Sequence, residues 1–149
     1  HLMSEKIQLD KTSAFMTVLQ RQAPQFASLY GVPEETVLAL MSFYGSRFKA
    51  VLALVEENPS WREPLHAQYP EIRAQVIYAI REELAVTLED VMLRRTTLGL
   101  RESMGQAALD SVVDMMAQAL SWDAATQEKQ KREYLDKIHI KHLCANWNA

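Results

Sequence analysis

Residues 70–84 read PEIRAQVIYAIREEL. Within that run Ile72, Val76, Ala79 and Ile80 recur at helical intervals, and no strand-like alternation of apolar and polar residues competes with them. The spacing predicts a helix from about Pro70 to Leu84 or Ala85. The same projection puts Glu83 inside the apolar arc and Arg73 near its edge. A charge on a core-facing stripe must find a partner or lose its ionisation. Two readings stand side by side. In one, Glu83 is buried in an interhelical ion pair with Arg94, Arg95 or Arg101. In the other, Arg73, Arg81, Arg94 and Arg95 contact an anionic group or a partner domain.

The pattern stays helical on both sides of this stretch. Downstream, Thr87 with Asp90 three residues on makes a capping-box-like start for a short helix through Arg95. Glu89 and Asp90 fall in its first turn and Arg94 and Arg95 in its last, as the helix dipole favours. Gly99 interrupts, and one long helix is expected from about Glu102 to Leu120. Met104, Ala108, Leu109, Val112, Met115, Met116, Ala119 and Leu120 share its apolar arc, opposite Asp110, Asp114 and Gln118. Asp123 can cap a last helix in which Glu128 with Arg132, and Glu133 with Lys137, are spaced for ion pairs.

Upstream, Pro59, Pro64 and Pro70 mark an irregular connector. Ser46 can cap a helix carrying Phe48, Val51, Leu52, Leu54 and Val55 that ends before Asn58-Pro59. Pro33-Glu34-Glu35 opens another, with proline in the first turn, and Tyr44-Gly45 closes it. An earlier segment around Ser13–Gln22 runs to Pro24, and a short stretch follows it to Tyr30-Gly31. The expected architecture is all-α, a compact bundle of about six or seven helices with no significant sheet. Residues 1–32 are expected to be an N-terminal linker or arm, with His1-Leu2-Met3 as a cloning remnant, and residues 33–149 the helical domain.

Composition narrows the function. The chain has 149 residues, 48% apolar and 23% charged, the balance of one globular domain. The net charge of −3 is evenly spread, since residues 1–61, 62–95 and 101–149 each come to −1. Nucleic-acid binding and polybasic membrane anchoring both need concentrated positive charge, and neither is expected. No uncharged apolar stretch approaches the ~18 residues of a membrane span, and no secretory signal opens the chain. Cys144, alone, allows no internal disulfide and fits a reducing compartment.

Catalytic motifs are equally sparse. The glycines Gly31, Gly45, Gly99 and Gly105 form neither a dinucleotide fingerprint nor a phosphate loop, and no nucleophile elbow or zinc-protease helix is present. His139, His142 and Cys144 lie close in sequence, but both histidines share an arc with Tyr134, Leu135 and Ile138 while Cys144 points away. A zinc site needs three or four converging ligands, so these histidines read as members of a packing face. Met104, Met115 and Met116 suit core filling or an interface. Trp61, Trp122 and Trp147 suit packing or docking.

Specificity comes from residue order. Leu40-Met41-Ser42-Phe43-Tyr44-Gly45-Ser46-Arg47 resembles the opening of the C-terminal helical domain of FAD-dependent glycerol-3-phosphate dehydrogenases and the related glycerophosphate oxidases. The run from Glu71-Ile72-Arg73 through Arg81-Glu82-Glu83 is similar to that family's Arg/Glu-rich helix. Thr87-Leu88-Glu89-Asp90 and Arg94-Arg95-Thr96 match its following turn and ending. The likeness continues more loosely to Trp122.

The resemblance implies a parent enzyme that oxidises sn-glycerol 3-phosphate to dihydroxyacetone phosphate. Electrons would pass to FAD and then to a membrane quinone or to oxygen. It further implies a flavin-binding catalytic domain preceding this piece in the same chain, which would be its partner, along with a contribution to subunit association in a homo-oligomer. A cytoplasmic-side location with a membrane-associated parent is implied too. For residues 1–149 themselves it implies a structural role: no catalytic, cofactor-binding or metal residue, and no membrane span. Arg73, Arg81, Glu83, Glu89, Asp90, Arg94 and Arg95 are the candidate structural or interdomain polar network. A stand-alone helical interaction module with no enzyme parent would explain the helices and the charge balance but not the ordered residue string. A small-molecule sensor would need a ligand between its helices.

Overall fold

The computed structural model describes the backbone of residues 13–147 and the side chains through residue 140. Seven α-helices, one π-helical segment and several 3₁₀ turns account for most of them. No strand or sheet occurs among the described residues, only a single antiparallel bridge between Pro64 and Ile72. The all-α expectation holds. The chain divides into two compact units, His1–Glu63 and Pro64–Ala149.

In the first unit α1 covers 13–21, α2 Ala23–Tyr30, α3 Glu34–Tyr44 and α4 Phe48–Glu57. Leu19, Ala23 and Val32 are buried, as are Val37, Leu40 and Met41 of α3 and Phe48, Val51 and Leu52 of α4. Phe26 meets Phe48 edge-on with ring centroids 5.1 Å apart, a favoured aromatic geometry. Residues 13–32, part of the expected N-terminal linker or arm, hold two helices with buried side chains, and the two units meet between 63 and 64 in the chain. Apolar spacing alone could not show that α2 packs on α3.

By length and composition residues 34–57 could cross a membrane, with mean hydropathy 1.4 in one window that spans charged positions. The backbone breaks that stretch. Gly45, at φ 57 and ψ −134, takes a conformation that side chains disfavour and closes α3. A 3₁₀ turn at Gly45–Arg47 then leads into α4. Ser46 lies inside this turn and gives α4 no side-chain cap.

In the second unit α5 spans Arg73–Glu82, α6 Leu109–Leu120 and α7 Ala124–Trp147. α5 packs against α6, and α6 against α7. α5 is shorter than its apolar pattern because Ile72 is extended at its start and Leu84 stands at φ 58 just past its end. Its buried residues Ala74 to Ala79 run all the way round the helix.

The expected helix from Glu102 to Leu120 begins instead at Leu109. Ser103, Met104 and Gly105, at φ 51, 54 and 78, form a left-handed turn. Gly105 is required there, since a Cβ would lie 2.6 Å from the Leu98 carbonyl oxygen. Asp123 caps α7, its Oδ1 accepting the Thr126 N–H at 2.7 Å. Two charged residues of α7 find other partners than expected: Glu133 pairs with Lys129, and Lys137 reaches Glu89.

Candidate functional site

The charged residues between Tyr69 and Arg101 are organised around α5 and the segment after it. Gln75 caps the start of α5 by accepting the Ile72 N–H at 2.9 Å. This side-chain cap takes the place of a Ser or Asp N-cap. Immediately before it sits Glu71, only 1% exposed. Its Oε1 accepts from the Thr97 hydroxyl and from Arg101 Nε at 2.9 Å, with Arg101 Nη2 at 2.8 Å. Oε2 is buried with no hydrogen-bond partner among the described residues. The Arg101 guanidinium also stands 5.9 Å from the Tyr69 ring centroid, within cation–π range.

At the other end of α5, Glu83 is the capping residue, and its side chain is 9% exposed. Its Oε2 lies 3.9 Å from Arg95 Nη1, at the outer limit of an ion pair.

The turn after α5 is a reciprocal capping box. Asp90 Oδ2 accepts from Val86 and Thr87 N–H at 3.1 and 3.0 Å, and Thr87 Oγ1 accepts the Asp90 N–H at 3.0 Å. Partial burial of Asp90 opposes its charge, but the Val86 and Thr87 donors and Arg94 outweigh that, so its carboxyl titrates below the ordinary value. Glu89 is held low mainly by its hydrogen bond from Lys137 at 2.5 Å. Arg94 bridges both acids, 2.6 Å from Glu89 and 2.7 Å from Asp90.

Asp90–Arg95 then winds as a π-helix, a rare form that concentrates at functional positions. The Thr96 hydroxyl donates to the Val91 carbonyl at 2.7 Å and accepts the Leu98 N–H at 3.3 Å, which secures the exit from that turn.

The seven sequence-predicted residues thus resolve into groups. Glu89, Asp90 and Arg94 form one cluster, joined by Lys137, and Glu83 meets Arg95. Arg73 and Arg81 occupy the first and last turns of α5. Sequence reasoning missed Glu71, because an acid beside a helix start reads as a solvated residue facing the dipole. Its only sequence signal is Arg101, thirty residues away and pairable only after folding.

These groups are carboxylates matched with guanidinium and ammonium. What they can do is hold segments together: Glu71 ties the start of α5 to 97–101, Glu83 ties its end to the π-helix, and Glu89 ties the π-helix to α7. Among the described residues no three His, Cys, Asp or Glu converge as metal ligands. His139 is exposed rather than on a packing face. The side chains of His142, Cys144 and Trp147 lie outside the described residues.

A sequence model of the family described as the C-terminal domain of alpha-glycerophosphate oxidase matches residues 5–127. The chain belongs to that family. The Glu71–Thr96 string and every ion pair of the two α5 ends fall inside the match. Family resemblance extends to full enzymes. A glycerol-3-phosphate dehydrogenase of Synechocystis is 32% identical over 109 residues, covering 70% of this chain and 20% of that protein. A probable mitochondrial glycerol-3-phosphate dehydrogenase of Dictyostelium discoideum is 34% identical over 105 residues, 70% of this chain and 16% of the relative. Glycerol-3-phosphate dehydrogenase 2 of Mycobacterium bovis is 25% identical over 142 residues, 95% of this chain and 24% of the relative. The chain spans about a fifth of the length of these relatives. No solved structure matches it.

Proposed function

We propose that the chain is the C-terminal accessory domain of an FAD-dependent glycerol-3-phosphate dehydrogenase, an enzyme oxidising sn-glycerol 3-phosphate to dihydroxyacetone phosphate, and that its part in that enzyme is structural. The observation that carries this reading is the family match across residues 5–127. Several-fold longer relatives named as glycerol-3-phosphate dehydrogenases support it. The partner is a flavin-binding catalytic domain preceding this one in the same chain, and assembly into a homo-oligomer belongs to the same proposal. So does a parent at a membrane surface, with this domain on its cytoplasmic side and quinone or oxygen as acceptor.

FAD would take up the electrons in the catalytic part. The described residues do not themselves fit the cofactor. A dinucleotide site of that kind needs a glycine-rich turn between a strand and a helix N-terminus. Here no strand occurs among the described residues, and Gly31 and Gly45 follow helices instead of opening them.

What the chain's own residues supply is rigidity. Glu71 with Arg101, Glu83 with Arg95, and Glu89 and Asp90 with Arg94 fix α5, the π-helix and α7 relative to one another. Arg94 and Arg95, about half exposed on the outer side of the π-helix, together with Arg73 and Arg81 are the residues assigned to the boundary with the catalytic domain.

Two measurements test the proposal. Reading the natural gene upstream of Ser4 should reveal a long domain with a Gly-x-Gly-x-x-Gly fingerprint; an in-frame stop codon a short way upstream, with no such domain between, would refute it. Purified chain mixed with FAD, glycerol 3-phosphate and a dye acceptor should neither bind nor turn over, and measurable turnover would end the structural reading.

A further inference from the structure

Local sequence and tertiary structure disagree sharply at one place in the second unit. From Glu102 to Leu120 the apolar spacing is that of one helix, yet Ser103, Met104 and Gly105 are left-handed and α6 starts only at Leu109. Successive non-glycine residues persist there only when their surroundings over-determine them. Those surroundings include the Arg101 carbonyl, which accepts the Met104 N–H at 2.9 Å, and two contacts from other segments. The Tyr134 hydroxyl on α7 donates to the Met104 carbonyl at 2.5 Å, and Gly105 lies against the Leu98 carbonyl.

Over its described side chains α7 is thinly held. Between 124 and 140 only Tyr134 and Ile138 are buried. Polar ties from the same stretch join them. Gln130 Oε1 accepts the Leu88 N–H at 2.9 Å, Lys131 lies 3.0 Å from Asp110, and Lys137 meets Glu89. Gln130, Tyr134, Lys137 and Ile138 recur at helical spacing, so one face makes these contacts. Sparse apolar burial marks an element that opens at low free energy. The clasping residues also lie past residue 127, where the family match stops.

We infer that α7 is a strap governing a two-state segment. Docked, it holds Ser103, Met104 and Gly105 in the left-handed turn. Undocked, the segment winds onto the N-terminus of α6 as the helix its spacing favours. The two states exclude each other, because the helical form carries the Met104 carbonyl away from Tyr134 and lifts Gly105 off Leu98. Whatever biases one end biases the other by the same factor. The inference stands independently of the proposed enzymatic parent.

Amide hydrogen exchange and HN–Hα scalar couplings on the full 149-residue chain test it. Tyr134→Phe keeps the ring and removes only the hydroxyl. Amides of 128–140 should then exchange about tenfold faster, as loss of one hydrogen bond implies, and the couplings of Ser103 and Met104 should move toward helical values. Gly105→Ala, which puts a Cβ against the Leu98 carbonyl, should produce the same pair of changes while the helical signal at 222 nm rises. Faster α7 exchange with the Ser103 and Met104 couplings unmoved would overturn the inference. So would a falling helical signal in Gly105→Ala, or acceleration spread equally over 73–120, since the rest of the unit must stay folded.

Discussion

Replacing Arg101 with leucine tests the central ion pair. Glu71 is buried, its carboxylate side chain 2% exposed, and Arg101 supplies two of the three donors to Oε1. Leucine keeps much of the stem's packing and removes the charge, leaving a buried carboxylate with the Thr97 hydroxyl alone. Breaking a buried pair from one side costs about 3–5 kcal/mol. The Arg101 side chain is 35% exposed and Thr97 remains, so the lower end, about 3 kcal/mol, is expected. For a chain of this length that lowers the melting temperature by about 6–12 °C.

Glu71→Gln should cost less, about 1–2 kcal/mol. The amide oxygen still accepts from Thr97, and Arg101 can turn to water. The double variant should then be less destabilised than the two singles added, by about 1–3 kcal/mol of coupling. Urea unfolding followed by tryptophan fluorescence measures all four proteins. An Arg101→Leu chain within about 0.5 kcal/mol of the parent, the range of an ordinary surface substitution, would refute the reasoning. A coupling of zero would do the same.

Other expectations concern backbone, packing and pH. Leu84 holds φ 58 with its side chain in a residue 82% exposed, so Leu84→Gly should raise stability by about 1 kcal/mol through relief of left-handed strain; a lower thermal midpoint would contradict this. Gly99→Ala would place a Cβ 2.7 Å from Leu93 Cδ2 and 2.9 Å from the Met92 carbonyl oxygen. A loss of about 1–3 kcal/mol in urea unfolding is expected from such overpacking. Glu89 and Asp90 both titrate below their ordinary values of 4.5 and 3.8. Their contribution to stability is therefore present above those values and lost as pH falls through the lower folded-state ones. Urea midpoints taken down that range should drop less steeply in Glu89→Gln than in the unaltered chain.

Residues that depend on near neighbours were readable from sequence. The Thr87–Asp90 cap, the Asp123 cap and the closure of α2 and α3 on Gly31 and Gly45 each need only a few adjacent positions. The failures share a cause at longer range. Ser103–Gly105 carries a helical pattern, but it is left-handed where Gly105 packs closely on the Leu98 carbonyl and the Tyr134 hydroxyl donates to Met104. Lys137 sits at the spacing that suits Glu133 and instead reaches back to Glu89, forty-eight residues earlier in the chain.

Period and local chemistry therefore determined that this chain is helical, where most helices end, and which ordered string of residues marks its family. Those properties are set within a few turns of backbone, where propensity, capping and amphipathic spacing act. Tertiary structure alone decided that Glu71 is the most deeply buried acid among the described residues and that Arg101 answers it. It also decided that α6 stops short and that the π-helix is pinned by α7. A side chain's burial and its distant partner are set by which helix faces meet, and a periodic pattern does not encode that choice.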